Sequence, residues 1–489
     1  MPHYYSKICP FSSLESIKGK NVLIMGLGLN GGGLASVLFF SRYGANVTVT
    51  DMKTEQDLKA SIEEIEHSLG ADSAKIRYVL GEHRIEDFEN TDCVIKNPGV
   101  KYENNKYLAA AKNIETDISI FLRFSKAPII AVTGSKGKSS TVSAIHYGLE
   151  QAGFKTFLGG NITVSPLTFL EETTENTPVV LELSSWQLAD LRGRGILKPK
   201  VSVLTTIVPD HQNWYGNMES YVADKKLIYA DQTADDFTIC KYDDWGKVFA
   251  SETKGTVIWY SAENPYSPEM TNVAWLNEKG EGFFKTPDNK TNCILGDKLS
   301  VPGFHMKENL LKAALVMDLF GVSPERTVEI LRQYTGIPHR LEQFYSWNGF
   351  VFYNDSAATV PEATIAALKA FDEKLILIAG GTDKNCSFDG LAGVLKEESG
   401  KKHLLDMYLL AGTGTEKLMS FMDKEYFTTI PVFDSLEKLL AELKDNLLTK
   451  YKGKNCKIVF SPGATSFGMF KNEFDRGNTY KEMVKKVFN

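Results

Sequence analysis

Residues Thr133 to Thr141 read TGSKGKSST, between the apolar run APIIAV and the amphipathic run VSAIHYGLEQAG. A strand, a glycine-bearing turn and a helix in that order can cradle a polyphosphate. Gly134 and Gly137 let the N–H groups of Ser135 and Lys136 converge on an anion, and the helix N-terminus adds partial positive charge. Lys138 can reach terminal phosphates, the Ser139 hydroxyl can coordinate magnesium, and Ser140 continues the first helical turn. The G-S-K-G-K-S spacing is tighter than the common GxxxxGK[ST]. A plain surface turn before a helix is the alternative, and it leaves the buried strand on its N-terminal side unexplained.

Two further groups stand where α/β sheets present ligands, at strand C-termini. PVVLELSS ends in Glu182, Ser184 and Ser185, and the carboxylate interrupts an apolar strand, which calls for a cation or hydrogen bonds. VSVLTTI runs on to Asp210 and His211. An acid and an imidazole beside a phosphate loop suggest magnesium ligation by Ser139, Glu182 and His211. Near the N-terminus, Gly26, Gly28 and Gly31 form GxGxxG after the strand NVLIMG, and Asp51 closes the next strand. That is a dinucleotide-type fingerprint, with Asp51 placed to accept hydrogen bonds from a nucleotide.

The elements that must position these groups alternate short β-rich runs with amphipathic helices, so the fold is α/β with parallel sheets. Three domains are expected: residues 1–125 Rossmann-like, 126–336 a central phosphate-loop sheet, and 337–489 a second Rossmann-like domain. Residues 231–297 read as irregular. Hydrophobic residues make up 43% of the 489 and charged residues 24%, with a net charge of −6; this ordinary, mildly acidic composition argues against nucleic acid as partner. Six cysteines without a CxxC pair fit free thiols in a reducing compartment. The N-terminus lacks a signal-peptide core, and no apolar run is long enough to span a bilayer. A soluble, cytoplasmic monomer is expected.

TGSKGKSST, GGNI (159–162), ELSSWQL (182–188), PDHQNWY (209–215), GIPHRLE (336–342) and SPGATSFGMFKNEFDRG (461–477) occur in order over nearly the whole chain. Together they resemble the Mur ligases, most nearly the branch that adds glutamate to UDP-N-acetylmuramoyl-L-alanine. The resemblance implies a UDP-binding first domain, with Leu29, Asn30, Asp51, Asn97 and Gly99 near the sugar nucleotide and Asn161 and Ser184 contributing from the central domain. It implies ATP and Mg²⁺ in the central domain, with Asn309, Arg340 and Asp355 assisting the phosphate loop. It implies glutamate held by Thr359, Lys384, Ser466, Phe467 and Phe474. It also maps a carbamylated, metal-holding lysine onto Lys225, which sequence alone reads as an exposed helix lysine. Lys138, His211 and Lys225 are then the catalytic candidates. The implied reaction is ADP-forming amide synthesis through an acyl phosphate.

The chain departs from the family pattern at Met306 in HMKEN, where an Asn is frequent, at Ala357 in NDSAAT, where a Lys is frequent, at Thr163 and at Gly468. Ala357 removes a positive charge near an anionic substrate, which leaves the glutamate enantiomer open, D-glutamate being the expected one. Rival readings are another Mur-type or folate polyglutamate ligase, a nucleotide-gated phosphate-loop ATPase, and a nicotinamide oxidoreductase suggested by GxGxxG alone.

Overall fold

The structure is a computed structural model describing residues 9–28, 31–162, 164–262, 269–384, 386–422, 430–466 and 468–489, with backbone alone at 212 and 213. Leu29, Asn30, Thr163 and Phe467 lie outside the described residues. The described residues form three parallel-rich sheets.

Asn21–Met25 and Cys93–Lys96 are buried almost end to end, the pattern of strands covered on both faces. They are the centre of a five-stranded sheet ordered Arg77–Leu80, Asn46–Asp51, Asn21–Met25, Cys93–Lys96, Ile114–Glu115, parallel throughout. The strand order reverses between Asn21–Met25 and Cys93–Lys96. At such a switch point the following loops diverge and leave a crevice at the strand C-termini.

The central sheet has nine strands. At one end Phe157–Gly160, Val179–Glu182, Ile129–Thr133 and Val201–Leu204 run parallel in that spatial order. The stretch that reads as irregular supplies the other five: Phe237–Lys241, Thr256–Ser261, Val273–Leu276, Gly282–Lys285 and Thr291–Leu295. The last two pair antiparallel through tight turns. These runs of four to six residues, cut by polar turns, are too short for a clear periodic signal.

The first two sheets share one hydrophobic core, reaching from Phe40 and Ile118 to Leu181 and Tyr221. They belong to a compact unit of Met1–Leu295 and Asn309–Val328.

The second unit, Gly296–Glu308 and Glu329–Asn489, is built on a six-stranded sheet. Its order is Glu342–Trp347, Phe350–Asn354, Lys457–Phe460, Leu375–Gly380, Leu404–Leu410, Val432–Phe433, with only the first strand antiparallel. Alternate residues of Leu375–Gly380 enter two cores: Ile376 and Ile378 pack with Leu440 and Tyr480, while Leu375, Leu377 and Ala379 pack with Leu391 and Leu395. That period of two is what a sheet covered by helices on both faces requires.

Candidate active site

Ile129–Thr133 lies between Val179–Glu182 and Val201–Leu204, so the loop after it emerges flanked by both neighbours' ends. Thr133 Oγ1 donates to the Leu183 carbonyl at 2.7 Å, and Thr205 N donates to the Thr133 carbonyl at 2.8 Å. The Ser135 N–H donates to Thr206 O at 2.9 Å, and its hydroxyl donates to Val208 O at 2.8 Å. Gly134 has φ +146°, and a Cβ there would overlap Thr205 Oγ1. No other residue fits this turn. Helix Lys138–Gln151 follows, with Ser139 and Ser140 in its first turn and both half-buried. Lys136 is exposed and lies 3.8 Å from Asp210. Asn309 Oδ1 accepts from Thr141 and stands where a Cβ on Gly137 would go, so Asn309 backs the loop.

Lys225 departs most from its sequence-level reading. It is not an exposed lysine but 1% exposed, at the end of helix Met218–Lys225. Its Nζ donates to Gly134 O at 2.8 Å and lies 4.5 Å from the Tyr221 ring centroid. Burial first, and the nearby Lys138 ammonium second, lower its pKa to about 7. The helix starts at an Asn217 cap and turns Tyr221, Val222 and Lys225 inward, so the lysine follows its apolar neighbours into the core. Tyr221 in turn donates to Ser135 Oγ at 3.1 Å.

Glu182 is 1% exposed. Its Oε1 accepts from Asn161 Nδ2 at 2.8 Å, while Oε2 is buried with no hydrogen-bond partner. An orphaned buried carboxylate oxygen beside a phosphate loop suits a hard cation. His211 adopts φ +50°, an uncommon conformation outside glycine. Its ring stands 5.1 Å from that of Trp186. Among the described residues no three of His, Cys, Asp and Glu converge as a self-sufficient metal site. The oxygens of Ser139 and Glu182 instead suit an ion that arrives with a polyphosphate.

A cavity of about 310 Å³ opens at the switch point of the first sheet. It is lined by the glycine turn after Asn21–Met25, by Lys96–Gly99, and by Asn161, Ser184 and Trp186 of the central sheet. Four expected substrate residues, Asn97, Gly99, Asn161 and Ser184, therefore share one cavity. Asn97 Oδ1 accepts from Gly99 N at 3.0 Å. Ser184 caps helix Ser185–Asp190 in a reciprocal capping box with Gln187. Asp51 does not line the cavity. It accepts from the N–H groups of Gly28 and Lys53, at 3.2 and 3.0 Å, and so fixes the glycine turn.

In the C-terminal unit, Asp355 is buried, accepts from Leu341 N at 3.1 Å and Ser461 Oγ at 2.7 Å, and is pushed up to about 7 by burial. Arg340 is exposed and His339 is buried with φ +65°. Lys384 Nζ donates to Thr359 Oγ1 at 3.2 Å, which joins two of the expected glutamate residues. Ser466 is buried, and its carbonyl accepts from Phe470 N. Phe474 is 52% exposed, with its ring edge-on to His339 at 5.8 Å. Nearby, Arg476 is 1% exposed and donates to Ser356 Oγ, Ser356 O and Ala464 O, tying the last helix to the segments after two strands.

Sequence reasoning did not single out Lys96, Asp117 or Ser165, all of which line the cavity. Lys96 carried a usable signal, since a lysine ending the buried strand CVIK is as conspicuous as Glu182 ending VVLE.

Comparison with known proteins agrees with this architecture. A profile of the Mur ligase MurD-like N-terminal domain matches residues 20–119, and one of the Mur ligase middle domain matches residues 132–317. UDP-N-acetylmuramoylalanine–D-glutamate ligase of Treponema pallidum is 43% identical, covering 96% of this chain and 98% of the relative. The enzyme of the same name from Borreliella afzelii is 38% identical, over 96% and 99%. Among solved structures, MurF ligase from Thermotoga maritima in complex with ADP has a TM-score of 0.52 at 18% identity, over 98% of this chain and 97% of that one. UDP-N-acetylmuramate-alanine ligase MurC from Thermotoga maritima has 0.54 at 17%, over 96% and 99%. The two structures share the fold, and the two curated relatives carry the kinship over their full lengths: the chain belongs to the Mur ligases, ATP-dependent and ADP-forming amino-acid ligases.

Proposed function

We propose that this chain joins D-glutamate to the alanine carboxylate of UDP-N-acetylmuramoyl-L-alanine, forming ADP and phosphate, as a cytoplasmic monomer in peptidoglycan precursor synthesis. One observation carries the reading. Asn161 both lines the cavity assigned to the sugar nucleotide and hydrogen-bonds Glu182 beside the phosphate loop. A substrate seated in the cavity can thus bring its carboxylate to the loop.

The γ-phosphoryl group of ATP passes to the alanine carboxylate, giving an acyl phosphate. The glutamate amine attacks its carbonyl carbon, and the tetrahedral species expels phosphate. The N–H groups of Ser135 and Lys136 are taken up by the Thr206 carbonyl, so it is the N-terminal turn of helix Lys138–Gln151, with the Lys138 ammonium, that would face the charge building on the transferring phosphoryl group. The donor set fits magnesium, which would be held by Ser139, Glu182, His211 and a Lys225 carbamate and would neutralise phosphate charge. A near-neutral amine on Lys225 is what CO₂ capture needs, because only the unprotonated form is nucleophilic. Thr359, Lys384, Ser466, Phe467 and Phe474 are assigned to the glutamate.

ADP release tests the reading. It should require UDP-N-acetylmuramoyl-L-alanine and glutamate together. Turnover that proceeds equally well without an amino acid would favour a plain ATPase.

A further inference from the structure

We propose that Lys96 and Lys101 are positioning residues that clamp the loop Asn97–Val100 at both ends and so set the affinity for the sugar-nucleotide substrate. The proposal rests on the assignment of the cavity given above.

Lys96 Nζ lies 3.0 Å from the Asn97 carbonyl, 3.4 Å from that of Pro98 and 3.0 Å from that of Val100. It is also 3.0 Å from Asp190 Oδ2, with the two side chains 1% and 4% exposed. The ammonium therefore curls its own loop around itself and fastens it to the last residue of helix Ser185–Asp190. That helix presents Trp186 and Gln187 to the cavity opposite Asn97, Pro98 and Gly99. A buried ion pair is a poor source of net stability, because desolvation offsets its attraction, whereas it fixes register well.

At the other end of the loop, Lys101 Nζ sits 3.8 Å from the ring centroid of Trp214. Trp214 packs on Trp186 at 4.6 Å, and Trp186 packs against His211 at 5.1 Å. Lys96, at the strand end, and Lys101, five residues on, thus tie a loop of the first sheet to side chains of the central domain. Asn97, Pro98 and Gly99 of the segment between them line the cavity, and so do Trp186 and Gln187 of the helix that ends at Asp190. A loop already held in its binding conformation spares the ordering cost that would otherwise be taken from substrate affinity.

The test is steady-state kinetics of Lys96→Met, Lys101→Ala, Asp190→Asn and the Lys96→Met/Asp190→Asn double variant. KM for UDP-N-acetylmuramoyl-L-alanine should rise by roughly tenfold or more in Lys96→Met and less in Lys101→Ala, with KM for ATP and glutamate within about twofold. The double variant should be no worse than the more impaired single. If Lys96→Met fails to fold, Lys101→Ala, which alters an exposed side chain, carries the test. A fall in kcat with unchanged KM for the sugar nucleotide, or a parallel change in all three KM values, would overturn the clamp. Wild-type enzyme inactive on this nucleotide would instead overturn the cavity assignment, and the clamp with it.

Discussion

Lys138 and Lys225 donate to the same oxygen, the carbonyl of Gly134, at 3.0 and 2.8 Å. Burial, and after it the Lys138 ammonium on the same carbonyl, leave the Lys225 amine only about half ionised at pH 7. Its ordinary value of 10.5 would leave well under one amine in a thousand unprotonated at that pH, whereas a value of about 7 leaves about half.

Carbon dioxide uptake by Lys225 should follow this titration. The amine is protonated below pH 7 and free above it, so a carbamate signal from ¹³C-labelled bicarbonate should grow with a midpoint near 7. Lys138→Met removes a neighbouring positive charge and should move the midpoint upward. A wild-type midpoint above 9, or a signal surviving Lys225→Met, would contradict the assignment.

Replacing Lys138 by Ala should lower the rate of ADP formation by about 10²–10³-fold, the usual loss for one preorganised group facing transition-state charge. Circular dichroism should be unchanged, since the bonds that Lys138 donates to Gly134 O and Ser135 O stay within one turn of chain. Near wild-type turnover would remove the lysine from the mechanism.

Glu182→Gln separates a structural carboxylate from a metal-facing one. The amide oxygen can keep the bond from Asn161, and Oε2 loses no hydrogen bond because it makes none. The melting temperature without ligands should therefore hold or rise, while the magnesium concentration for half-maximal activity should increase several-fold. A destabilised variant with an unchanged magnesium requirement would point to a structural role.

Asp355 gives a pH-dependent stability of defined sign. Its folded-state value, about 7, lies above the ordinary 3.8, so between those pH values the folded chain holds a proton the unfolded chain has lost. Stability from this group is present at low pH and drains away as pH rises toward 7. Asp355→Asn does not titrate, so its advantage over wild type in denaturant melts should be small near pH 4. It should grow to at most about 4 kcal/mol above pH 7. An advantage that shrinks with rising pH would show the sign to be wrong.

The sequence was most legible where one element carried its own punctuation. GSKGKSS between an apolar strand and a helix located the loop, and ELSS located Glu182, because a carboxylate in a buried strand has few other uses. Lys225 was legible only by resemblance, since burial of a helix lysine is decided by Tyr221, Ser135 and Gly134, which come together only in the fold. The five short strands after Phe237 were hidden by their length. Asp51 shows the limit of a spacing rule: its position is that of a nucleotide-binding acid, and in the fold its oxygens also accept from Gly28 N and Lys53 N. A spacing rule cannot tell those uses apart.

Ligation of D-glutamate is read out by mass spectrometry of the product formed from UDP-N-acetylmuramoyl-L-alanine, ATP and either enantiomer of glutamate. The expected product is a nucleotide heavier by one glutamyl residue with D-glutamate, formed one for one with ADP, and little with L-glutamate. Preference for L-glutamate would contradict the stereochemical assignment, and no ligated product with either enantiomer would contradict the function.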